Sequence, residues 1–189
     1  MKAISDRSDN ILRFDRRFDA PPELVFALWT EPALFEKWFA SSHGFEATVV
    51  ELDARPGGRW RILNRKGDVS EHPHGVFHEV VPASRLVYSY RFEGTDFHST
   101  ISVELSPDSG GTRMRFCQSG FPDAGARHEH DYGWSYVWRL FGDVLAAQHG
   151  VGTAYPNLTP ERISGVGRDL AEARRRLEEE SAAKRTGRG

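Results

Sequence analysis

Two prolines ten residues apart set the layout of this chain's first forty positions. In the run Arg16 to Trp38, RRFDAPPELVFALWTEPALFEKW, Pro22 and Pro32 each stand where a helix can begin. A proline's missing N–H is harmless in a first helical turn, where that group has no intrahelical partner. The residue before a proline is pushed out of the α region, so Thr30-Glu31 ahead of Pro32 reads as a break and a restart. Leu24, Val25, Leu28 and Trp29 form the apolar side of the first short helix, and a second ends at Trp38. Upstream, from Asn10 to Phe18, Leu12, Phe14, Arg16 and Phe18 alternate with Arg13, Asp15 and Arg17 as in a strand.

The strand pattern resumes at Glu46–Asp53, and Arg55-Pro56-Gly57-Gly58 makes a turn into Arg59–Asn64. Lys66-Gly67-Asp68 is a hairpin signal. Further strands are expected at Gly75–Val81, Arg85–Phe92, Ser99–Leu105 and Thr112–Gln118. From about Arg127 to Ala147, Trp134, Trp138, Phe141 and Leu145 recur at the helical period. Clean alternation in short strands implies an antiparallel sheet with one covered face, and this helix has the length to cover it. The expected order is β-α-α-β-β-β-β-β-β-α.

At 189 residues the length favours one domain with an appendage. The net charge is −2, and the segment from Val151 onward carries +2, which leaves −4 on residues 1–150. That balance argues against nucleic acid as a partner, since such domains present a basic face. The single Cys117 has no intrachain disulfide partner, no apolar run reaches the ~20 residues of a membrane span, and MKAISDRSDN lacks a signal peptide's apolar stretch. A cytoplasmic protein with no membrane contact is the expectation. Residues 151–166 read as a linker, and 169–185 as a polar segment with high helix propensity and few apolar anchors.

The motifs Arg16-x-Phe18-x-Ala20-Pro21, Thr30-Glu31-Pro32, Trp38, Arg55-Pro56-Gly57-Gly58-Arg59-Trp60 and Gly75-Val76 are followed by Val81-Pro82-x-x-Arg85-Leu86-Val87, Gly111-Thr112-Arg113 and Gly133-Trp134. In this order they resemble the family named for the heat-shock protein 90 ATPase activator, within the START-like (SRPBCC, Bet v-type) superfamily. The resemblance implies an α+β helix-grip fold: a curved antiparallel sheet wrapped around a long C-terminal helix, with two short helices after the first strand. It implies a domain over residues 10–147, after an N-terminal extension (1–9) and before a linker and polar tail, helical or disordered (148–189). Members of this superfamily enclose an apolar cavity between sheet and helix; many bind hydrophobic small molecules, some are cyclases and some are co-chaperones. No catalytic set carries over.

With that architecture, alternation directs Trp60, Ile62, Tyr88, Tyr90, Val103, Met114 and Phe116 toward the cavity, beneath Trp134, Trp138 and Phe141. The hydroxyls of Tyr88 and Tyr90, or His78, would supply polar contacts in an otherwise apolar lining. Simple mutual packing of these aromatics is the competing account. Arg16 is expected in a structural ion pair, because a buried arginine needs a partner. His72, His74 and His78 form one cluster, and His128, Glu129, His130 and Asp131 another, but neither has a recognised metal-ligand spacing. Glu129 and Asp131 suit the positive end of the long helix's dipole. Arg55-Pro56-Gly57-Gly58 lacks the helix and lysine of a phosphate loop.

The leading expectation is a non-enzymatic domain that binds a hydrophobic or aromatic small molecule, with no cofactor, metal or catalytic residue assigned. A cyclase- or hydrolase-type enzyme using pocket Tyr, His or Asp groups is the alternative, together with a co-chaperone-like interaction module. A homodimer and a chaperone partner stay open. A closed interior with no room beside Trp60 and Trp138 would favour the interaction module.

Overall fold

The computed structural model describes residues 10–39 and 45–149. Strand β1 (Ile11–Phe18) leads into α1 (Pro22–Thr30) and α2 (Pro32–Trp38). Seven strands follow: β2 (Glu46–Leu52), β3 (Arg59–Lys66), β4 (Val69–Glu71), β5 (Pro73–Val81), β6 (Arg85–Phe92), β7 (His98–Asp108) and β8 (Gly111–Ser119). Helix α3 (Ala124–His149) closes the described chain. The sheet is antiparallel throughout, in the order β1-β8-β7-β6-β5-β3-β2, with β4 paired to β3. It curls around α3 as the helix-grip reading expects.

The proline reading of the opening holds in detail. Glu31 is extended (φ −95°, ψ 118°) and serves at once as the C-cap of α1 and the N-cap of α2. Trp38 donates its indole N–H to the Leu28 carbonyl at 2.7 Å, which pins α2 against α1. Buried Glu36 reaches across to β2, where its carboxylate accepts the Val49 N–H at 2.5 Å, beside the register shift between Val49 and Glu51. A side chain thus supplies the acceptor where the β2–β3 ladder is interrupted.

Two element expectations change. The Lys66-Gly67-Asp68 turn is followed by a short strand, β4, so seven strands follow the helices rather than six. Helix α3 begins at Ala124, ahead of the expected Arg127, and runs to His149. The cause lies in Asp123, whose Oδ1 accepts the Ala126 N–H at 2.9 Å, as an N-capping side chain does. Glu129 and Asp131 therefore lie beyond the first helical turn, which holds no acidic residue, and the dipole does not account for them. The expected N-terminal extension (1–9) and the tail from residue 150 onward lie outside the described residues.

The core runs the length of the space between sheet and α3, and Trp29 of α1 occupies its middle. The Trp29 ring lies 4.7 Å from that of Trp38, 5.7 Å from Phe141, 6.1 Å from Trp138 and 6.3 Å from Phe116. Aromatic rings at such separations are in van der Waals contact. Helix α1 thereby fills the volume that the sequence reading assigned to a ligand.

Candidate functional site

A cavity of about 450 Å³ lies where Trp29 does not reach, at the end of the interface nearest the start of α3. Phe39, just past α2, forms one edge. The β3–β4 hairpin and the segment after it contribute Asn64, Ser70, Glu71 and His72, while β6 and its following turn contribute Tyr90, Phe92, Glu93 and Thr95. Helix α3 supplies Glu129, His130, Gly133, Trp134 and Val137. The volume falls within the range of clefts that hold small organic ligands.

Of the eleven residues expected to line a pocket, Tyr90 and Trp134 do so. Trp60, Ile62, Tyr88, Val103, Met114, Phe116, Trp138 and Phe141 are buried in the continuous core instead. His78 faces solvent. Its neighbour Phe77 takes the inward position opposite Tyr88, and the register shift between Phe77 and Glu79 leaves His78 on the wet face. Arg16 is exposed, with its guanidinium 5.5 Å from the centre of the Phe14 ring rather than in a buried ion pair.

His130 is the residue that the sequence reading set among the polar ones and the fold sets among aromatics. Its imidazole stacks on Phe97 (4.8 Å, 20°) and meets the edges or faces of Phe121 at 5.1 Å and Tyr90 at 5.6 Å. Burial among these rings lowers its pKa to about 4, so the ring is neutral at ordinary pH. The signal was in the helical period: four residues before Trp134 on the Trp134–Trp138 stripe stands His130.

The polar lining is anchored from both sides. Trp134 donates its indole N–H to Gln118 Oε1 at 2.7 Å, Gln118 Nε2 donates to Ser99 Oγ at 2.9 Å, and Ser99 Oγ donates to the Tyr90 carbonyl at 3.5 Å. This buried chain crosses from α3 through β8 and β7 to β6. Asn64 is 4% exposed, and its Oδ1 has no hydrogen-bond partner among the described residues. Glu93 is held by Arg61 at 2.6 Å and approached by His72 Nδ1 at 3.9 Å. Burial and the negative charge of Glu71 push the Tyr90 hydroxyl pKa well up, which keeps it protonated. Among the described residues no group of three His, Cys, Asp or Glu side chains is placed to hold a metal ion, and no helix is long and apolar enough to cross a membrane.

The fold recurs in known structures. A crystal structure of a Chromobacterium violaceum protein is 28% identical over 72% of this chain and 96% of its own, with a TM-score of 0.67. A Nitrosomonas europaea protein is 26% identical over 75% and 97%, at 0.64. A Silicibacter pomeroyi protein, 22% identical over 74% and 99% at 0.65, shares the fold. No protein with a curated description matches the chain. The family model described as "Activator of Hsp90 ATPase homolog 1-like protein" matches residues 19–146, from the turn after β1 to within three residues of the end of α3. With the strand–helix–helix opening and the sheet curled on α3 already in place, the chain belongs to that family.

Proposed function

We propose that the protein binds a small, partly aromatic organic molecule at the open end of the helix–sheet interface and does not transform it. The observation that carries this reading is the 450 Å³ cavity walled by Phe39, Tyr90, Phe92 and Trp134, with polar groups at its rim. An apolar wall with a few placed polar groups is the usual form of a ligand site. Burial holds the His130 imidazole neutral near neutral pH, which suits an aromatic wall that contacts a ligand rather than a base acting on it.

Gly133 supplies the test. It lines the cavity within α3, and a Cβ there would meet nothing within 4 Å. Gly133→Leu should improve helix propensity and project a side chain into the cavity. Titration with naphthylethylamine and naphthaleneethanol, followed by naphthalene fluorescence, should show binding of at least one to the parent protein and loss of binding in a fully folded Gly133→Leu. Equal binding by the variant, or no binding by the parent, overturns the reading.

A second reading rests on the packing around Trp29, which lies with Trp60 and Trp138 in one continuous buried core. A filled interior suits a protein-interaction module, and the family description names a chaperone ATPase activator. Stimulation of an Hsp90-type ATPase by the purified protein, unchanged in Gly133→Leu, would support that reading.

A further inference from the structure

The charge of the cavity narrows its ligand, an inference that rests on the binding reading above. Among the described residues three carboxylates line it (Glu71, Glu93 and Glu129), and no lysine or arginine does. Glu93 is engaged by Arg61 at 2.6 Å. Glu71 and Glu129 make no ion pair within the described residues, and they approach the space from opposite walls, the β3–β4 hairpin and α3.

Asn64 adds an independent observation. It stands directly opposite Glu71 in the β3–β4 pairing, so the two side chains share one face of the hairpin. The Asn64 side chain is buried, and its Oδ1 is unpartnered among the described residues. A buried acceptor without a donor is uncommon in folded proteins. Here an amide oxygen and a carboxylate sit side by side, with no described donor between them. The complementary group is one that brings several N–H donors and a positive charge. The same cavity is lined by the rings of Tyr90, Phe92 and Trp134, which favour both an aromatic body and an adjacent cation.

We infer that the cavity selects an organic ammonium, a protonated primary or secondary amine carried on an aromatic body, with the ammonium between Asn64, Glu71 and Glu129. An anion of the same shape is repelled by the same carboxylates, and a neutral analogue leaves the Asn64–Glu71 pair of acceptors partly unmet.

Three probes with one ring system separate charge from shape: naphthylethylamine, naphthaleneethanol and naphthylacetate. The parent protein should bind the amine about tenfold more tightly than the alcohol, with the carboxylate weakest, as charge-assisted hydrogen bonds outweigh neutral ones. Glu71→Gln and, separately, Glu129→Gln should each weaken the amine several-fold and leave the alcohol unchanged; thermal unfolding checks that both variants are folded. Equal affinity for amine and alcohol, or a preference for the carboxylate, overturns the cation inference while the binding reading stands. Unchanged amine affinity in both variants also overturns it. Failure of all three probes to bind the parent overturns both.

Discussion

The indole N–H of Trp134 on α3 points at the side-chain oxygen of Gln118 on β8, 2.7 Å away, and both residues are buried. Gln118 is fully enclosed in a strand whose other inward residues include Met114 and Phe116. A glutamine persists there because both ends of its amide are used, the oxygen by Trp134 and the nitrogen by Ser99. Gln118→Leu should destabilise the domain by ~1–3 kcal/mol, the cost of stranding buried donors and acceptors. Trp134→Phe added to it should cost less than the sum of the two single changes, since the indole donor would already be unpaired. Chemical denaturation of the four proteins checks this, and strict additivity would show that the bond contributes nothing.

Trp134→Ala removes the whole ring from a site where it packs 4.5 Å from Phe116 and stacks on Trp138 at 5.2 Å. The expected loss is ~3–5 kcal/mol, as for other buried aromatics cut to alanine. A shift in the denaturation midpoint worth well under ~1 kcal/mol would contradict the packing described.

Two groups should make opposite contributions to stability over the same acid range. The folded His130 pKa lies at about 4, against an ordinary 6.5, because burial opposes its charge. From pH 6.5 down to 4 the unfolded chain gains a proton that the folded one refuses, so this group's contribution rises with pH. Asp143, buried on α3, is raised by burial to about 6 from 3.8, with Arg139 pulling it down. There the folded state keeps a proton that the unfolded state has released, so stability falls as pH rises from 3.8 to 6. Relative to the parent, Asp143→Asn should gain stability steadily with rising pH across this window, and His130→Phe should lose it. Thermal midpoints from pH 4 to 7 that run parallel in all three proteins would contradict both assignments.

Gly75 permits a close crossing of β5 and β6. A Cβ at that position would lie 1.8 Å from the Ser89 carbonyl oxygen and 2.6 Å from Trp60 Nε1. Those two atoms are hydrogen-bonded to each other at 3.0 Å, so Gly75→Ala should displace both and destabilise by ~2–4 kcal/mol. A midpoint unchanged from the parent's would rule this out.

Val103→Trp tests whether the middle of the interface is solid. Val103 is fully buried in the core and is not part of the cavity lining. Overpacking there should cost at least ~1–3 kcal/mol, and a folded variant should keep probe binding. Lost binding with stability intact would place the ligand deep instead.

The two helix starts were legible because proline acts locally, through its own ring and the residue before it. The α3 stripe was legible because Trp134, Trp138, Phe141 and Leu145 are large and regularly spaced. The placement of the cavity was not. Trp29 belonged to the apolar side of α1 on any reading, but whether it lies over the sheet's edge or plugs its centre depends on how α1 docks, a tertiary fact with no local signature. His78 failed for a related reason. Plain alternation puts Val76, His78 and Val80 on one face and Phe77 on the other; pairing with Tyr88 brings Phe77 inward, and the bulge after it turns Val80 to the same side while Val76 and His78 stay exposed. Asn64 and Glu71 came together only through a three-residue strand that the hairpin signal did not announce.

The plug formed by Trp29 also divides α3 along its length. Phe141, Val144 and Leu145 are sealed against the core, whereas Glu129, His130 and Gly133 border open space. A ligand that enters at that border has no need to lift the helix from the sheet. Its arrival and departure would then be uncoupled from the slow, large-scale opening that a fully enclosed chamber demands. Amide exchange should show the same division, with ligand slowing exchange in the first turns of α3 and leaving the protected C-terminal turns as they were.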